Sequence, residues 1–191
     1  VALEAQRRAF LDAAAYVDDK WDEAVHPLIE EVAAKIAERL GFPPGESIAF
    51  GQNTHDLVFR LLSCWPFDER TRIVTTTGEF HSLDRQLRRL EEEGVRVVWV
   101  DAGDKESLPE RIVEAIEPGT SLVASSTVFF EDGAQLQGLQ AIAEACERAG
   151  AALLLDAYHA FNVVPMPIAD LPGEVYVTAG GYKYAQFGEA C

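Results

Sequence analysis

The chain has 191 residues, of which 48% are hydrophobic and 25% are charged, a composition typical of globular proteins and not of collagen-like, coiled-coil or disordered ones. Sixteen basic against 32 acidic residues give a net charge of −16, so nucleic acid and membrane surfaces are not expected partners. No apolar run approaches the roughly 20 residues that a membrane-spanning helix needs. Three scattered cysteines predict neither a disulfide framework nor a metal site and favour a reducing, cytoplasmic setting.

Two helices are predicted in the first forty residues. One covers Ala5 to Tyr16. The other is predicted by apolar residues that recur every three or four positions, namely Val25, Leu28, Ile29, Val32, Ile36 and Leu40. Gly41 is a helix stop and Pro43-Pro44-Gly45 predicts a turn. We therefore predict a unit of N-terminal helices over 1–45 and a larger domain over 46–191.

After residue 46, short apolar strands alternate with helices. The predicted strands are Ile48 to Phe50, Arg72 to Thr76, Val95 to Val100, Leu122 to Ser126, Ala151 to Leu155 and Glu174 to Thr178. Asn53 or Thr54 could cap the first intervening helix, and Ser107-Leu108-Pro109-Glu110 has the pattern of a capping box. This alternation predicts an α/β fold, a three-layer sandwich with a mostly parallel central sheet. Strands that are apolar throughout are expected where helices cover both faces.

Two loops early in this domain could contribute to a ligand site, because ligands of such sheets bind beyond the carboxyl ends of the strands. Residues 51–56, Gly-Gln-Asn-Thr-His-Asp, open a helix whose free N–H groups could bind an anion, although an ordinary helix cap has the same pattern. Phe80-His81 follows the next strand. These rings could stack on a flat ligand, or they could be a packing Phe and an exposed His.

Two later loops contain the residue types that carry chemistry. Asp156 follows five apolar residues, where a carboxylate must be solvated, paired or functional, and His159 lies three positions on. The alternative is a turn-capping Asp with a His in the core. Lys183 follows two glycines and lies between Tyr182 and Tyr184. Desolvation there favours the neutral amine that a Schiff base requires, whereas a surface lysine extended over aromatic rings is the alternative.

The combination of Asp156-x-x-His159 with Tyr182-Lys183 resembles class V aminotransferases, which are fold-type-I enzymes dependent on pyridoxal 5′-phosphate (PLP), and more closely the kynureninase branch. The resemblance covers about Phe50 to Cys191. It implies the large domain of that fold, PLP as cofactor, an amino acid as small-molecule substrate and a homodimer in the intact protein. It also implies that an N-terminal segment and a small C-terminal domain are missing from this chain, so we predict little or no turnover for it alone.

The resemblance also implies a role for each site residue. Lys183 would hold the cofactor as a Schiff base and move protons at the substrate's α-carbon. Asp156 would pair with the pyridinium nitrogen. His159 would lie near the phenolic oxygen or the phosphate, and Tyr182 would reach the phosphate.

The remaining implied contacts are to the phosphate and the face of the ring. The phosphate loop would contain Thr54, His55 and Asp56, and Asp56 would need to turn its side chain away to cap the helix. Phe80 matches the residue stacked on the ring, with His81 as a rival. Ser126, at the end of its strand, would lie beside the ring or the phosphate.

The resemblance predicts an enzyme that transaminates an amino acid or cleaves its Cβ–Cγ bond in the manner of a kynureninase. Residues 184–189 lack the Asn- and Gly-rich continuation of a true kynureninase, which weighs against kynurenine hydrolysis itself. Cysteine desulfuration is less favoured, because no cysteine of this chain is expected in a mobile loop and the resemblance implies that the nucleophilic cysteine lies beyond the end of this chain. Cys64 and Cys146 are both predicted to be buried thiols. The alternative from another class is a non-catalytic fragment or degenerate homologue that binds a partner through its acidic surface. A nucleotide-binding domain is disfavoured by the absent glycine fingerprint.

Overall fold

The computed structural model describes residues 1–42, 48–68, 71–166 and 168–185. Five parallel strands form its sheet: β1 (Arg72–Thr76), β2 (Arg96–Val100), β3 (Thr120–Ser126), β4 (Ala152–Asp156) and β5 (Val175–Thr178). Their order across the sheet is β2-β1-β3-β4-β5. The predicted α/β fold with a parallel sheet is confirmed.

Helices cover both faces of this sheet. The six α-helices of the described residues are α1 (Ala2–Tyr16), α2 (His26–Leu40), α3 (Thr54–Leu62), α4 (His81–Glu92), α5 (Leu108–Ala115) and α6 (Leu139–Ala149). Because side chains alternate along a strand, Leu153 and Leu155 of β4 join a core with α5 and α6, while Leu154 joins a second core with α3 and α4. The result is the predicted three-layer sandwich.

Both predicted N-terminal helices form, but only part of the predicted apolar stripe of α2 is buried, including Leu40 and the partly buried Ile36. A 3-10 turn (Val17–Asp19) and a π-helical turn (Trp21–Val25) join α1 to α2, and α1 buries none of its residues. The buried residues of α2 are Ala33, Ala37 and Leu40, whereas Leu28 and Ile29 of the predicted stripe are 54% and 42% exposed. The small alanines allow close packing, which the periodicity of large apolar residues did not indicate. The predicted turn at 43–45, where the domain boundary was placed, lies outside the described residues.

Two local predictions at helix starts had different outcomes. Asn53 caps α3, since its Oδ1 accepts a hydrogen bond from Asp56 N at 2.9 Å. The capping box at Ser107 is wrong: its hydroxyl donates to Asp104 and accepts from Arg111, and makes no bond to the helix N–H groups. The helix nevertheless begins at Leu108, because its apolar face is fully buried.

The predicted strand over Ile48 to Phe50 does not form. These residues have no regular structure, and Phe50 is half exposed. A three-residue apolar segment needs a neighbouring strand for its backbone hydrogen bonds, and none pairs with it among the described residues.

The chain order places a topological switch between β1 and β3. From β1 the chain passes through α4 to β2 on one side, and from β3 it passes through α6 to β4 on the other. Ligands of open parallel sheets bind at such a point, beyond the carboxyl ends of the strands. The segments that follow β1, β3, β4 and β5 therefore define where a site is expected.

Candidate active site

The carboxylate of Asp156 ends β4 and is buried, with only 3% of the residue exposed. Its Oδ1 accepts a hydrogen bond from Tyr158 N at 2.9 Å, which fixes the turn that leaves the strand. Its Oδ2 is buried and has no hydrogen-bond partner among the described residues. Burial raises the pKa of Asp156 to about 6, although the bond from Tyr158 and the positive charge of Lys183 both act to lower it. One oxygen thus caps the turn, and the other remains available.

The amine of Lys183, whose charge acts on Asp156, lies directly beside His159. Lys183 Nζ is 2.6 Å from His159 Nε2 and 4.8 Å from the centroid of the Tyr158 ring. Burial, and then the charge of Lys183, lowers the pKa of His159. The imidazole is therefore neutral near pH 7, and its Nε2 accepts a hydrogen bond from Nζ. Lys183 does lie over an aromatic ring, as the alternative interpretation held, but its amine also has a polar partner in the site.

Gly180 allows the backbone before Lys183 to pass close to Tyr158. A Cβ atom at position 180 would lie 1.9 Å from Cε2 of Tyr158, so no other residue fits without displacing this ring. Tyr182 follows and packs edge-on against Tyr158, with 5.6 Å between the ring centroids. A further contact ties the two loops together, because Asn162 Nδ2 donates to Tyr184 O at 3.0 Å.

Aromatic rings from three loops meet at this edge of the sheet. The Phe80 ring centroid lies 6.0 Å from that of His159 and 6.0 Å from Lys183 Nζ. His81 and Phe130 complete the cluster, with ring centroids 5.3 and 5.4 Å from that of Phe80. Both predicted stacking candidates are therefore present, and Phe80 is the one in contact with His159 and near Lys183.

Ser126 lies opposite Asp156 in the register of β3 and β4, at the end of the strand. The next residue, Thr127, donates from both N and Oγ1 to the carbonyl oxygen of Asp156, at 2.9 and 3.2 Å. Ser126 itself donates from N and Oγ to the buried carboxylate of Glu79, at 2.8 and 2.7 Å. These bonds connect the ends of β1, β3 and β4.

The predicted phosphate loop is the N-terminus of α3, where the first N–H groups lack partners within the helix. Thr54 is buried, and its Oγ1 has no hydrogen-bond partner among the described residues. Asp56 pairs with Arg60 at 3.0 Å, so its charge is directed along the helix. His55 contacts Gln86 of α4, whose Nε2 donates to His55 O at 2.9 Å. No direct contact between these three residues and Lys183 or Asp156 is seen in the described part of the chain.

The residues present fit PLP, the expected cofactor, because several buried polar atoms lack a hydrogen-bond partner within the described part of the protein. Buried polar atoms at or next to the carboxyl ends of three strands have no hydrogen-bond partner within the described ranges: Thr75 Oγ1 on β1, Asp156 Oδ2 on β4 and Thr178 Oγ1 on β5. Thr54 Oγ1, at the start of α3, is another such atom. Thr178 pairs with Asp156 in the register of β4 and β5. Buried polar groups are normally satisfied, so these atoms indicate a polar ligand. PLP has four groups that need a partner on the protein. Its aldehyde reacts with an amine, its ring nitrogen pairs with a carboxylate, its ring face stacks on an aromatic ring and its phosphate binds at a helix N-terminus. This chain contains each of these partners.

Four residues at the site carry no role in the sequence predictions. Glu79 is a carboxylate that closely follows a buried strand, the same signal that identified Asp156. Phe130 belongs to an aromatic pair after β3, and Tyr158 lies between Asp156 and His159, so composition pointed to both. Gln86 has no sequence signal, because its contact joins helices 31 positions apart.

Residues 1–42, 48–68, 71–166 and 168–185 contain neither a candidate membrane-spanning helix nor a candidate metal-binding cluster. None of the helices there is long and apolar enough to cross a membrane. No group of three or more His, Cys, Asp or Glu side chains that could hold a metal ion occurs in the same ranges.

Comparison with known proteins places the chain among PLP-dependent enzymes. A "Probable cysteine desulfurase, mitochondrial" from Dictyostelium discoideum is 24% identical over 164 residues, which are 84% of this chain and 36% of the relative. The structure titled "SspA in complex with cysteine" aligns with a TM-score of 0.73 and 20% identity, over 92% of this chain and 53% of that one.

A C-DES variant with glycine covalently linked to its PLP cofactor aligns with a TM-score of 0.70 and 17% identity, over 92% of this chain and 49% of that one. At these identities the structural similarity establishes the fold, and it confirms the fold-type-I architecture. The chain spans about half the length of these structures and about a third of the Dictyostelium protein. The profile of the Aminotransferase class-V family matches residues 10–185, so this chain belongs to that PLP-dependent family.

Proposed function

We propose that this chain is the cofactor-binding part of an enzyme that acts on an amino acid, with Lys183 as the residue that binds PLP covalently. The observation that carries the proposal is the position of the Lys183 amine, which lies beside neutral His159 and interacts electrostatically with the buried carboxylate of Asp156. One oxygen of this carboxylate has no hydrogen-bond partner among the described residues. When bound, the cofactor supplies an electron sink for bond breaking at the substrate's α-carbon.

The side chains of this chain then have distinct tasks. Asp156 Oδ2 would accept a hydrogen bond from the ring nitrogen, and its negative charge would favour the protonated ring. Lys183 Nζ would form the covalent link. His159, whose pKa is lowered by burial, accepts a hydrogen bond from Nζ and would orient the amine. Phe80 would cover the ring, and Thr54 Oγ1 with the N–H groups of α3 would bind the phosphate.

The reaction at the α-carbon belongs to the same proposal. Transamination and kynureninase-like cleavage are the reactions implied by the sequence resemblance, whereas the Dictyostelium relative is named a cysteine desulfurase. Desulfuration needs a reactive thiolate, and neither of the two described cysteines, Cys64 and Cys146, has the properties of a reactive thiolate at the site. Burial raises the pKa of Cys146 to about 12. Cys64 is exposed, contrary to the expectation, but it lies beyond the C-terminal end of α3, whereas the proposed phosphate loop is at the opposite end.

A cytoplasmic location and a homodimer remain predictions. The Dictyostelium relative carries the word "mitochondrial" in its name, which is a statement about that protein.

The test uses Lys183→Ala, with Lys105→Ala as its control. Lys105 is a partly buried lysine paired with Asp132 at 3.1 Å, so both variants remove one partly buried amine. After incubation with PLP, the original protein and Lys105→Ala should absorb visible light, and borohydride should attach the cofactor to the peptide that contains Lys183. Lys183→Ala should show neither the colour nor the adduct. Retention of both in Lys183→Ala would refute the lysine assignment, and their absence from the original protein would favour the non-catalytic scaffold.

A further inference from the structure

A second buried carboxylate, Glu79, lies at the topological switch between β1 and β3, and the proposed mechanism does not use it. Only 5% of the residue is exposed. Thr76 Oγ1 donates to Glu79 Oε1 at 2.5 Å, and Ser126 donates to Oε2 from its N at 2.8 Å and from its Oγ at 2.7 Å. Both oxygens are therefore occupied by donors from the ends of two adjacent strands.

The donors explain why the chain holds a carboxylate here. Three hydrogen atoms converge on two oxygens, and a carboxylate accepts at both, whereas a glutamine accepts at only one. Ionisation of a group in this position is opposed by its burial and favoured by these bonds. Burial dominates, and it raises the pKa of Glu79 to about 7; the charge of Asp156 also acts in this direction.

Glu79 reaches the cofactor site by two routes. Its bonds to Ser126 fix the hydroxyl of the residue that faces Asp156 across β3 and β4. The two carboxylates are also coupled through their charges, because the charge of Asp156 raises the pKa of Glu79. The positive charge of Lys183 lowers the pKa of Asp156, and burial, together with that positive charge, lowers the pKa of His159.

We propose that Glu79 is a positioning residue of the PLP site, which holds the Ser126 hydroxyl in place opposite Asp156 and is coupled to the charge of Asp156. The proposal rests on the proposed function for its relevance to PLP, but the coupling between the two carboxylates exists without the cofactor. No hydrogen bond or ion pair joins Glu79 to Lys183 among the described residues, so Glu79 acts through Ser126 and Asp156.

The test compares Asp156→Asn, Glu79→Gln and the control Glu110→Gln, which removes the charge of an exposed carboxylate on α5. In the cofactor-free protein, ¹³C NMR of labelled glutamate side chains, assigned through their backbone resonances, follows the titration of Glu79. Asp156→Asn should lower its midpoint by roughly one pH unit and Glu110→Gln should leave it unchanged. In the PLP-loaded protein, Glu79→Gln should weaken PLP binding, because a glutamine accepts hydrogen bonds at only one of the two positions that the carboxylate oxygens occupy.

Each outcome decides the question. An unchanged Glu79 midpoint in Asp156→Asn would show that the two carboxylates are not coupled and would overturn the proposal. PLP binding by Glu79→Gln as tight as binding by Glu110→Gln would overturn it equally. If Glu79→Gln does not fold, the titration of Glu79 in Asp156→Asn still decides the question, because it leaves Glu79 unaltered. Failure of the unaltered protein to bind PLP would refute the proposed function, while the cofactor-free titration still tests the coupling.

Discussion

Replacement of Asp156 by asparagine should stabilise the cofactor-free protein at high pH. The carboxylate is buried, and one of its oxygens has no hydrogen-bond partner among the described residues. Asparagine retains an acceptor for the bond from Tyr158 N but carries no charge. The substitution therefore removes the cost of ionising a desolvated group, while it keeps the turn that leaves β4.

The magnitude follows from the pKa of Asp156, which burial raises from 3.8 to about 6. A group whose pKa is higher in the folded state favours folding while it is protonated, and this contribution is lost as the pH rises through the folded pKa. Each tenfold change in acidity corresponds to about 1.4 kcal/mol, so the loss amounts to about 3 kcal/mol at pH 8 and to less than about 1 kcal/mol at pH 4. Relief of the repulsion from Glu79 adds to the effect in the same direction.

Urea denaturation of the cofactor-free protein and of Asp156→Asn at pH 4 and pH 8 measures this difference. The variant should gain about 3 kcal/mol in free energy of unfolding at pH 8 and little at pH 4. The reasoning is refuted if the two proteins differ by the same amount at both pH values, or if the variant is less stable at pH 8. In the PLP-loaded protein the same substitution should impair function, because residues that lower the stability of the ligand-free protein are often required for activity.

Two further substitutions test the phosphate loop and the close approach at Gly180. Thr54→Val removes a buried hydroxyl that has no hydrogen-bond partner among the described residues. The affinity for PLP should fall about tenfold, whereas the affinity for pyridoxal, which has no phosphate, should hardly change. Equal losses of affinity for both ligands would contradict a contact between Thr54 and the phosphate. Gly180→Ala would place a Cβ atom 1.9 Å from Tyr158 and should cost about 1–3 kcal/mol of stability and slow borohydride trapping at Lys183. Gly103→Ala, where the nearest atom would lie at 3.4 Å, should do neither, and equal stability of the two variants would refute the argument from close approach.

The fold could be predicted because its determinants are local and repetitive. The strand from Arg72 to Thr76 was predicted with its observed bounds, and Asp156 was recognised because a charge after an apolar strand is unusual. The failures occurred where the outcome depends on partners distant in the chain. Ile48 to Phe50 has the composition of a strand but no neighbouring strand in the described structure. The face that α2 buries depends on the closeness of Ala33 and Ala37 to the core, which no periodicity of large side chains reveals.

The sequence indicated candidate site residues but not all the contacts that connect them. Lys183 Nζ lies 2.6 Å from His159 Nε2, and the ring centroids of Phe80 and His159 lie 6.0 Å apart. What sequence could not supply is the link through Glu79, because that contact crosses 47 positions and depends on the adjacency of β1 and β3. Glu79 does carry the signal that identified Asp156, a carboxylate that closely follows a buried strand, but this signal does not indicate which residues it contacts. A buried acid satisfied by backbone and hydroxyl donors becomes visible only after the strand order is known.

The two interpretations of Asp156, a functional carboxylate and a turn cap, are compatible because each involves a different carboxylate oxygen. Oδ1 receives the bond from Tyr158 N and would do so in any protein with this turn. Turn capping alone would place such a side chain near the surface, where water satisfies the second oxygen. Here the second oxygen is buried, as is the hydroxyl of Thr178 on the neighbouring strand, and neither has a partner among the described residues. A fold that only needed a turn would gain stability by replacing this aspartate, so its presence is best explained by a ligand that uses the free oxygen.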